Sequence, residues 1–267
     1  MGAGNGAVTI TGKSSRLYLQ NMTASQCTTA GVTAYDIRDE EAYTVKKLAD
    51  NNCWLLENLR LDISDATVKT NLTSTTTNAT DTVLGYLKNG GGSSPYPANG
   101  VIAKTASSGS WVNDYANPYI ATQYKDTVQA ATGSSPAGKI GIYYNYCAAS
   151  AGSYCYASGA GTGDASYDIC PAGWRMPTGG SSGEYQALYT AYSSNVANFQ
   201  SALSTPLSGY FRSGSAYNQG TYGYYWSATV YPSYSSYARC LYFSSGNVDK
   251  NDGIRSLGFS VRPVLRN

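Results

Sequence analysis

The 267-residue sequence contains no histidine, and this absence excludes several kinds of chemistry. Neither a Ser-His-Asp nor a Cys-His catalytic pairing can form, and no imidazole can bind a metal ion. The six cysteines include no Cys-x-x-Cys pair, which argues against a zinc site. Catalysis would have to depend on carboxylates, lysine, tyrosine or cysteine.

Charged residues and long apolar runs are also scarce. Only 13% of the residues are charged, the net charge is +2, and no lysine or arginine block occurs, so nucleic acid is not an expected partner. No apolar run approaches about 18 residues, so we expect no membrane span in this chain. The first residues lack the apolar core of a secretory signal. Either the protein stays inside the cell or the sequence is part of a longer precursor.

The cysteine count favours the second alternative. An even number of cysteines outside metal spacing indicates disulfides formed in an oxidising compartment. The alternative is six buried free thiols in a cytoplasmic protein. Low charge with abundant Thr, Ser, Tyr and Gly is also typical of extracellular proteins, so we expect an extracellular or cell-surface location.

Tyrosine is abundant and is concentrated in one segment near the C-terminus. Nine of the 26 tyrosines lie in the 33 residues from Tyr210 to Tyr242, and serines fill many of the gaps. This mixture is poor material for a core, because every buried phenol needs a hydrogen-bond partner. It suits a binding surface, where tyrosine offers large, stiff contact area and serine adapts around it. The composition therefore predicts a ligand-binding protein.

Local patterns predict a hairpin, several helices and a series of C-terminal strands. The hairpin joins 34–37 to 42–48 through the turn 38–41, and we interpret its acidic residues Asp36, Asp39, Glu40 and Glu41 as part of a solvated hairpin turn rather than as a cation site. A polar stretch over 64–80 is predicted to be a surface excursion. The predicted helices are 79–88, 115–131, Ser182–Tyr192 with Ser181 or Ser182 as its cap, and Asn195–Leu203, which Pro206 stops.

The predicted strands near the C-terminus alternate apolar and polar residues. In Ala238–Ser244, period two directs Leu241 and Phe243 inward and Cys240, Tyr242 and Ser244 outward. The tyrosines and serines are therefore expected on one exposed face and its loops. The four predicted strands are Leu207–Arg212, Tyr224–Val230, Ala238–Ser244 and Gly258–Leu265.

Four segments together carry a family resemblance. They are Tyr35–Leu61, Cys170–Tyr189 (CPAGWRMPTGGSSGEYQALY), Gly223–Thr229 (GYYWSAT) and Gly258–Leu265 (GFSVRPVL). Their order and spacing resemble the bacterial major paralogous domain, FISUMP, from about residue 17 onward. The resemblance implies an α+β protein with a C-type-lectin-like fold, in which two helices flank a small twisted antiparallel sheet with long loops.

The same resemblance implies a domain plan and a set of structural residues. Residues 35–267 would form a single domain, with an N-terminal strand extension over 1–34, a loop-rich insertion at about 64–166 and a ligand-binding variable region at about 217–257. The implied core residues are Trp174, Trp226 and Phe259, and Arg175 and Arg262 would make buried polar contacts.

The C-terminal segment also resembles the output of a diversity-generating retroelement. C-type-lectin-like domains are the usual display scaffold of these systems, which randomise adenines, typically in Asn codons. Lys250 does not fit such an origin. Framework residues would be Tyr225–Ser227, Leu241, Phe243, Gly246, Val248, Arg255 and Gly258–Arg262. The expected ligand-binding residues are Tyr217, Tyr222, Tyr224, Tyr231, Ser233, Tyr234, Ser236, Tyr237, Cys240, Tyr242, Ser244, Asp249, Asp252, Ile254, Ser256 and Leu257.

Under this resemblance, Cys27 and Cys53 are expected to form a disulfide that ties the N-terminal strand to the domain. Two of Cys147, Cys155 and Cys170 are expected to pair, and Cys147–Cys155 closes the shorter loop. Pro263 stands where many relatives have the partner of Cys170. Cys240 would be a diversified position and an unpaired thiol.

Three functions remain open from the sequence. The first is a non-enzymatic, extracellular protein that binds a protein or cell-surface ligand and needs no cofactor or metal. The second is a fixed adhesin or carbohydrate-binding module in which tyrosine rings stack on sugars. The third is an enzyme like the formylglycine-generating oxidases, which need a reactive cysteine pair, whereas only Cys240 lies near the expected face.

We do not expect calcium-dependent sugar binding, because the Glu-Pro-Asn, Gln-Pro-Asp and Trp-Asn-Asp motifs are absent. The glycine-rich 133–139 is no phosphate loop, because Ile140 follows Lys139.

Overall fold

The computed structural model describes residues 16–89, 118–152, 163–234 and 236–266. Within these ranges the chain is a mixed α/β protein with several small antiparallel sheets, in line with the α+β prediction. None of the described helices has the length and apolar character needed to span a bilayer. The α-helices are α1 (Ala66–Asn71), α2 (Asp81–Asn89), α3 (Tyr146–Ala149), α4 (Glu184–Ala191) and α5 (Val196–Leu203).

Fourteen strands form the sheets of the described ranges, and many of them are only two or three residues long. The first eight are β1 (Val32–Tyr35), β2 (Ala42–Lys47), β3 (Cys53–Leu55), β4 (Ile120–Ala121), β5 (Val128–Gln129), β6 (Gly138–Lys139), β7 (Tyr143–Tyr144) and β8 (Trp174–Arg175). The last six are β9 (Tyr210–Arg212), β10 (Ser215–Tyr217), β11 (Gly223–Val230), β12 (Tyr237–Ser244), β13 (Asn247–Ile254) and β14 (Val264–Leu265).

The largest sheet joins the two ends of the sequence. Its strand order is β1-β2-β3-β14-β8, so the C-terminal strand lies between β3 and β8. The predicted hairpin is confirmed as β1 and β2, with Tyr35 opposite Ala42. Its turn places Glu40 at a φ of 60°. The Cys27–Cys53 disulfide is also confirmed, with Cα atoms 6.1 Å apart, and ties the N-terminal segment to the start of β3.

A separate three-stranded sheet has the order β11-β12-β13. Tyr224 lies opposite Tyr242, and the β11–β12 register shifts between Trp226 and Val230. β13 has no counterpart among the predicted strands, because Asn247–Ile254 contains few residues with β propensity. β13 forms through its continuous antiparallel pairing with β12, along which alternate side chains remain exposed.

The core lies on both faces of this three-stranded sheet. On one face, Trp226 stacks on Phe259 with ring centroids 4.2 Å apart, and its indole N–H donates to the Tyr144 carbonyl at 2.8 Å. Gly253 lets β13 approach this stack, because a Cβ there would lie 2.3 Å from the Phe259 ring. On the other face, Tyr225 stacks on Phe243 at 5.3 Å, beside helix α5.

The residues that the family resemblance assigns to the core are buried as expected. Trp174, Trp226 and Phe259 are at most 1% exposed. Arg262 is fully buried and donates to the Asn58 amide oxygen at 2.5 Å and the Leu203 carbonyl at 2.9 Å. The expectation for Arg175 is only partly met, because its side chain is 29% exposed and forms an ion pair with Glu184.

Helices predicted near the middle of the chain have mixed outcomes. The 79–88 helix is confirmed as α2, and Ser182–Tyr192 as α4, although Gly183 rather than a serine is its N-cap. The Thr178 hydroxyl and the Glu184 carboxylate instead form reciprocal bonds with each other's backbone N–H groups, both at 3.0 Å. Asn195 caps α5 through the Asn198 N–H group. α5 ends at Leu203, where Ser204 adopts a left-handed conformation, two residues before Pro206.

The helix predicted over 115–131 is wrong. Residues 115–117 lie outside the described ranges, and the remainder forms β4, a turn and β5. β4 pairs with β7 and β5 pairs with β6, so tertiary pairing overrides the weak helical pattern of this segment.

The acidic turn and the polar stretch that follows it are less solvated than predicted. Asp36 is fully buried and forms an ion pair with the buried Arg38, whose guanidinium donates to the Ile169 carbonyl at 2.7 Å. The stretch over 64–80 contains helix α1 and buries Val68 and Thr77. The prediction of a solvated turn is therefore wrong for Asp36, whereas the polar stretch is a mostly accessible segment that hydrogen bonds of Arg38 with Asn71 and Thr77 attach to the interior.

The remaining cysteines fall into two groups. Cys147 is disulfide-bonded, and its predicted partner Cys155 lies outside the described residues. Cys170 and Cys240 are buried free thiols. The alternative of six free thiols is therefore wrong.

Candidate functional site

All of the predicted ligand-binding residues except Cys240 and Ser256 are exposed or half-buried. The predicted outward orientation of Cys240 is wrong. It lies opposite Trp226 and is 3% exposed, because both faces of β12 are covered by core at this point. Ser256 is 7% exposed. Neither side chain is placed to contact a large ligand, whereas the predicted inward orientation of Leu241 and Phe243 is confirmed.

The exposed tyrosines form two groups. The first, which we call the strand cluster, consists of Tyr210, Tyr217, Tyr222, Tyr224 and Tyr242. Tyr224 is at its centre, with ring centroids 5.3 Å from Tyr210, 5.1 Å from Tyr242 and 5.1 Å from the buried Phe259. The cluster therefore rests on the core, and Tyr217 at its margin is 43% exposed.

The phenols at the centre of the strand cluster stay protonated at neutral pH. Burial raises the pKa of Tyr242 to about 12, and its hydrogen bond with Tyr222 acts in the same direction. Burial also raises the pKa of Tyr224, against the opposing effect of a hydrogen bond with Asn218. These hydroxyls can therefore both donate and accept hydrogen bonds.

The second group, which we call the loop cluster, consists of Tyr231, Tyr234 and Tyr237. The Tyr231 and Tyr234 rings are stacked, with centroids 5.7 Å apart and planes at 6°. Tyr237 is tilted against both. With Asn251 and Asp252, the three rings line a groove of about 370 Å³.

An ion pair supports one side of the loop cluster. Arg239 donates to the Asp252 carboxylate at 2.9 Å, and its guanidinium lies over the Tyr231 ring, 4.5 Å from the centroid. The two charged side chains are 28% and 23% exposed. Burial raises the pKa of Asp252, and the positive charge of Arg239 opposes this rise.

The expectation of a single binding face is not met. Five positions separate Tyr237 from Tyr242 on the unbroken strand β12, so alternation directs the two side chains to opposite sides of the strand. On the side of Tyr237, β12 is accessible at its start and buried towards its end. On the side of Tyr242, it is buried at its start and accessible towards its end. The remaining predicted residues are divided accordingly. Asp249 lies opposite Tyr242 and Ile254 opposite Tyr237, Ser244 ends β12, Ser233 and Ser236 lie in the loop, and Leu257 packs partly against the core.

Three residues in or beside the two clusters are not among the predicted ligand-binding residues: Tyr210, Arg239 and Asn251. Tyr210 belongs to the tyrosine-rich stretch, so its enrichment was a usable signal. Arg239 is a single charge in an otherwise apolar strand, which suggests a specific partner. Asn251 lies in the unpredicted β13, and no local pattern places it beside three tyrosines.

Charged groups also line a smaller cavity of about 250 Å³, remote in sequence from the tyrosines. Asp39, Asp62 and Asp65 meet Arg38 and Lys125 there. Burial, followed by the charge of Asp36, raises the pKa of Asp39 to about 7. In the described ranges, no group of three or more Cys, Asp or Glu side chains could hold a metal ion.

Comparisons of the chain with protein-family models, with curated proteins and with solved structures found no match in any of the three.

Proposed function

We propose that this chain is a non-enzymatic, extracellular ligand-binding protein. Its C-terminal region displays a tyrosine- and serine-rich surface that a retroelement diversifies, carried on a C-type-lectin-like scaffold. The ligand is a protein or another cell-surface molecule, and each diversified copy binds a different one. The Cys27–Cys53 disulfide supports the extracellular location, because such bonds persist in oxidising compartments.

The observation that carries this proposal is the separation of framework and variable positions in β11 and β12. The assigned framework residues Tyr225, Trp226, Leu241 and Phe243 are at most 1% exposed. The assigned variable tyrosines between them keep accessible rings. Substitutions at the accessible positions would change the surface without changing the core, which is the property that a diversified protein requires.

The position of the variable region in the fold supports the same proposal. The five-stranded sheet, which holds the two ends of the sequence together, contains none of the predicted ligand-binding residues. Most of these residues belong to the three-stranded sheet and its loops. The scaffold can therefore remain constant while residues 217–257 vary.

Binding rather than catalysis fits the ionisable groups of this surface. The central phenols Tyr224 and Tyr242 have raised pKa values, and Asp252 is paired with Arg239. Cys240, which a cysteine-dependent oxidase would need at the surface, is buried, and burial raises the pKa of its thiol. Tyrosine anchors with adaptable serine neighbours are suited to non-covalent recognition.

The test is deep sequencing of codons 210–267 in the source population. We expect substitutions to concentrate at accessible positions such as Tyr217, Tyr222 and Tyr234, to map to adenines of a nearby repeat, and to spare Tyr225 and Trp226. An invariant region without a repeat would overturn the diversification proposal and leave a fixed adhesin or carbohydrate-binding module.

A further inference from the structure

The loop cluster differs from the strand cluster in having a groove with charged and amide groups in its wall. The groove lies where the loop after β11 meets the start of β12 and the end of β13. Its volume of about 370 Å³ is at the lower end of the range for small-molecule sites. A few polar groups among aromatic side chains are typical of such sites.

The aromatic wall is open towards solvent. Tyr234 is 61% exposed, although it stacks on Tyr231. Within the described part of the chain, the hydroxyls of Tyr231, Tyr234 and Tyr237 have no hydrogen-bond partner. The Arg239 guanidinium packs on the Tyr231 ring, and the Tyr231 ring stacks on Tyr234. These two contacts hold the Tyr234 ring in place, so a ligand meets a preformed surface.

The polar wall restricts the charge of the ligand. A cation would compete with Arg239, which already occupies the Asp252 carboxylate and one face of Tyr231. An anion would meet the Asp252 carboxylate. A purely apolar ligand would cover the Asp252 carboxylate, whose side-chain partner is Arg239, without giving it a further hydrogen bond, and this is costly. The remaining class is a neutral ligand that has an apolar face and several hydroxyl groups.

We propose that the loop-cluster groove binds a neutral pyranose residue of a surface glycan. The C–H face of the sugar ring packs on Tyr234, and a neighbouring hydroxyl donates to the Asp252 carboxylate beside Arg239. This inference rests on the proposed function, because it assigns a ligand class to one part of the same surface. It involves no metal ion, and the strand cluster across β12 remains free for a separate contact.

The experiment is an NMR titration of the isotope-labelled protein with the methyl pyranosides of glucose, galactose, mannose and N-acetylglucosamine. Saturation-transfer difference spectra identify which sugars bind. Nα-acetyl-argininamide serves as the cationic comparison probe. We expect at least one pyranoside to bind in the millimolar range and to shift resonances of the loop cluster, and the cationic probe to bind more weakly.

Three variants locate the site. Tyr234→Ser removes the exposed ring, and Asp252→Asn removes the charge while keeping the shape. Each should weaken pyranoside binding roughly tenfold, the loss of one stacking or charge-assisted contact. Tyr217→Ser, the matched control in the strand cluster, should change the affinity less than about twofold, because additivity holds for distant sites. Unchanged backbone spectra away from each substitution confirm that the variants are folded.

The opposite results overturn the inference. They are no binding of any pyranoside, equal loss of binding in Tyr217→Ser, or preferential binding of Nα-acetyl-argininamide. The sequencing test of the proposed function is independent of these results. Diversified codons without pyranoside binding would remove only the glycan assignment. Invariant codons with pyranoside binding would remove only the diversification.

Discussion

The interior tyrosines and the tyrosines of the C-terminal surface are the same side chain in two different roles. Inside, Tyr144 donates to the Leu61 carbonyl at 2.8 Å, and Tyr225 donates to the Pro206 carbonyl at 2.9 Å. At the surface, the hydroxyls of the loop cluster have no partner in the described part of the chain. A satisfied phenol is a structural element of the core, whereas an unsatisfied phenol is available to a ligand.

The two roles can fall on adjacent residues. Tyr224 and Tyr225 are neighbours on β11, where alternation directs them to opposite faces of the sheet. Tyr225 is fully buried against Phe243, and Tyr224 belongs to the accessible strand cluster. The number of tyrosines therefore does not measure the size of a binding surface, because burial divides them first.

The largest expected effect comes from removing the core on which the surface rests. Trp226→Ala should lower the free energy of unfolding by about 3–5 kcal/mol, because it removes the stack on Phe259 and the bond to the Tyr144 carbonyl. Urea unfolding followed by circular dichroism measures the change. Tyr234→Ala, at an exposed position, should stay within about 0.5 kcal/mol of the parent protein. Equal losses in the two variants would contradict the division into core and surface.

The partly buried carboxylate of Asp39 makes the stability of the protein depend on pH. The pKa of Asp39 is about 7 in the folded protein, against about 3.9 in the unfolded chain, so the folded state binds its proton more tightly. The contribution of this group to stability is present below about pH 4 and is lost as the pH rises towards 7. Asp39→Asn should therefore gain about 1–3 kcal/mol over the parent protein at about pH 8, after allowance for screening, and nothing near pH 4.

Urea unfolding at a series of pH values measures this difference. Asp249→Asn, the same change of side chain at an exposed position of β13, is the matched control for the substitution itself. Parallel stability profiles for Asp39→Asn and the parent protein would show that Asp39 titrates normally.

The smallest effect compares single hydroxyl groups. Tyr144→Phe should cost about 1–2 kcal/mol, because the buried Leu61 carbonyl loses its donor. Tyr234→Phe should cost less than about 0.5 kcal/mol, since its hydroxyl has no partner in the described chain. Thermal unfolding by calorimetry resolves the two. A loss in Tyr234→Phe as large as that in Tyr144→Phe would mean that the surface phenols are structural.

Local signals in the sequence predicted the elements that local interactions stabilise. The hairpin of β1 and β2, the helices α4 and α5 and the strands β11 and β12 follow from periodicity, turn residues and caps. The core residues Trp226 and Phe259, which the family resemblance implied, are buried, and the tyrosine-rich stretch contains most of the exposed tyrosines. These features depend on contacts between residues close in sequence, or on hydrophobic transfer alone.

Some of the local predictions failed because distant segments decide the outcome. β13 is an exception, because it pairs with its sequence neighbour β12 across Ser245 and Gly246 and was missed for its polar composition, whereas Cys240 is buried because core covers both faces of β12. Asp36 is buried because Arg38 neutralises its charge and reaches the Ile169 carbonyl. For Cys240 and Asp36, the local pattern did not show which distant residues would cover the side chain.

The sequence by itself determined that this protein concentrates tyrosine near its C-terminus and has no histidine chemistry, and the family resemblance implied the Cys27–Cys53 disulfide that the structure contains. Only the tertiary structure decided that the exposed tyrosines form two clusters on opposite sides of β12. It also brought Arg239, Asn251 and Asp252 together beside one of them. The physical reason is that the pairing of β11, β12 and β13 decides which side chains meet, and contacts with residues far along the chain, such as Tyr144 and Phe259, decide which of them are covered by core.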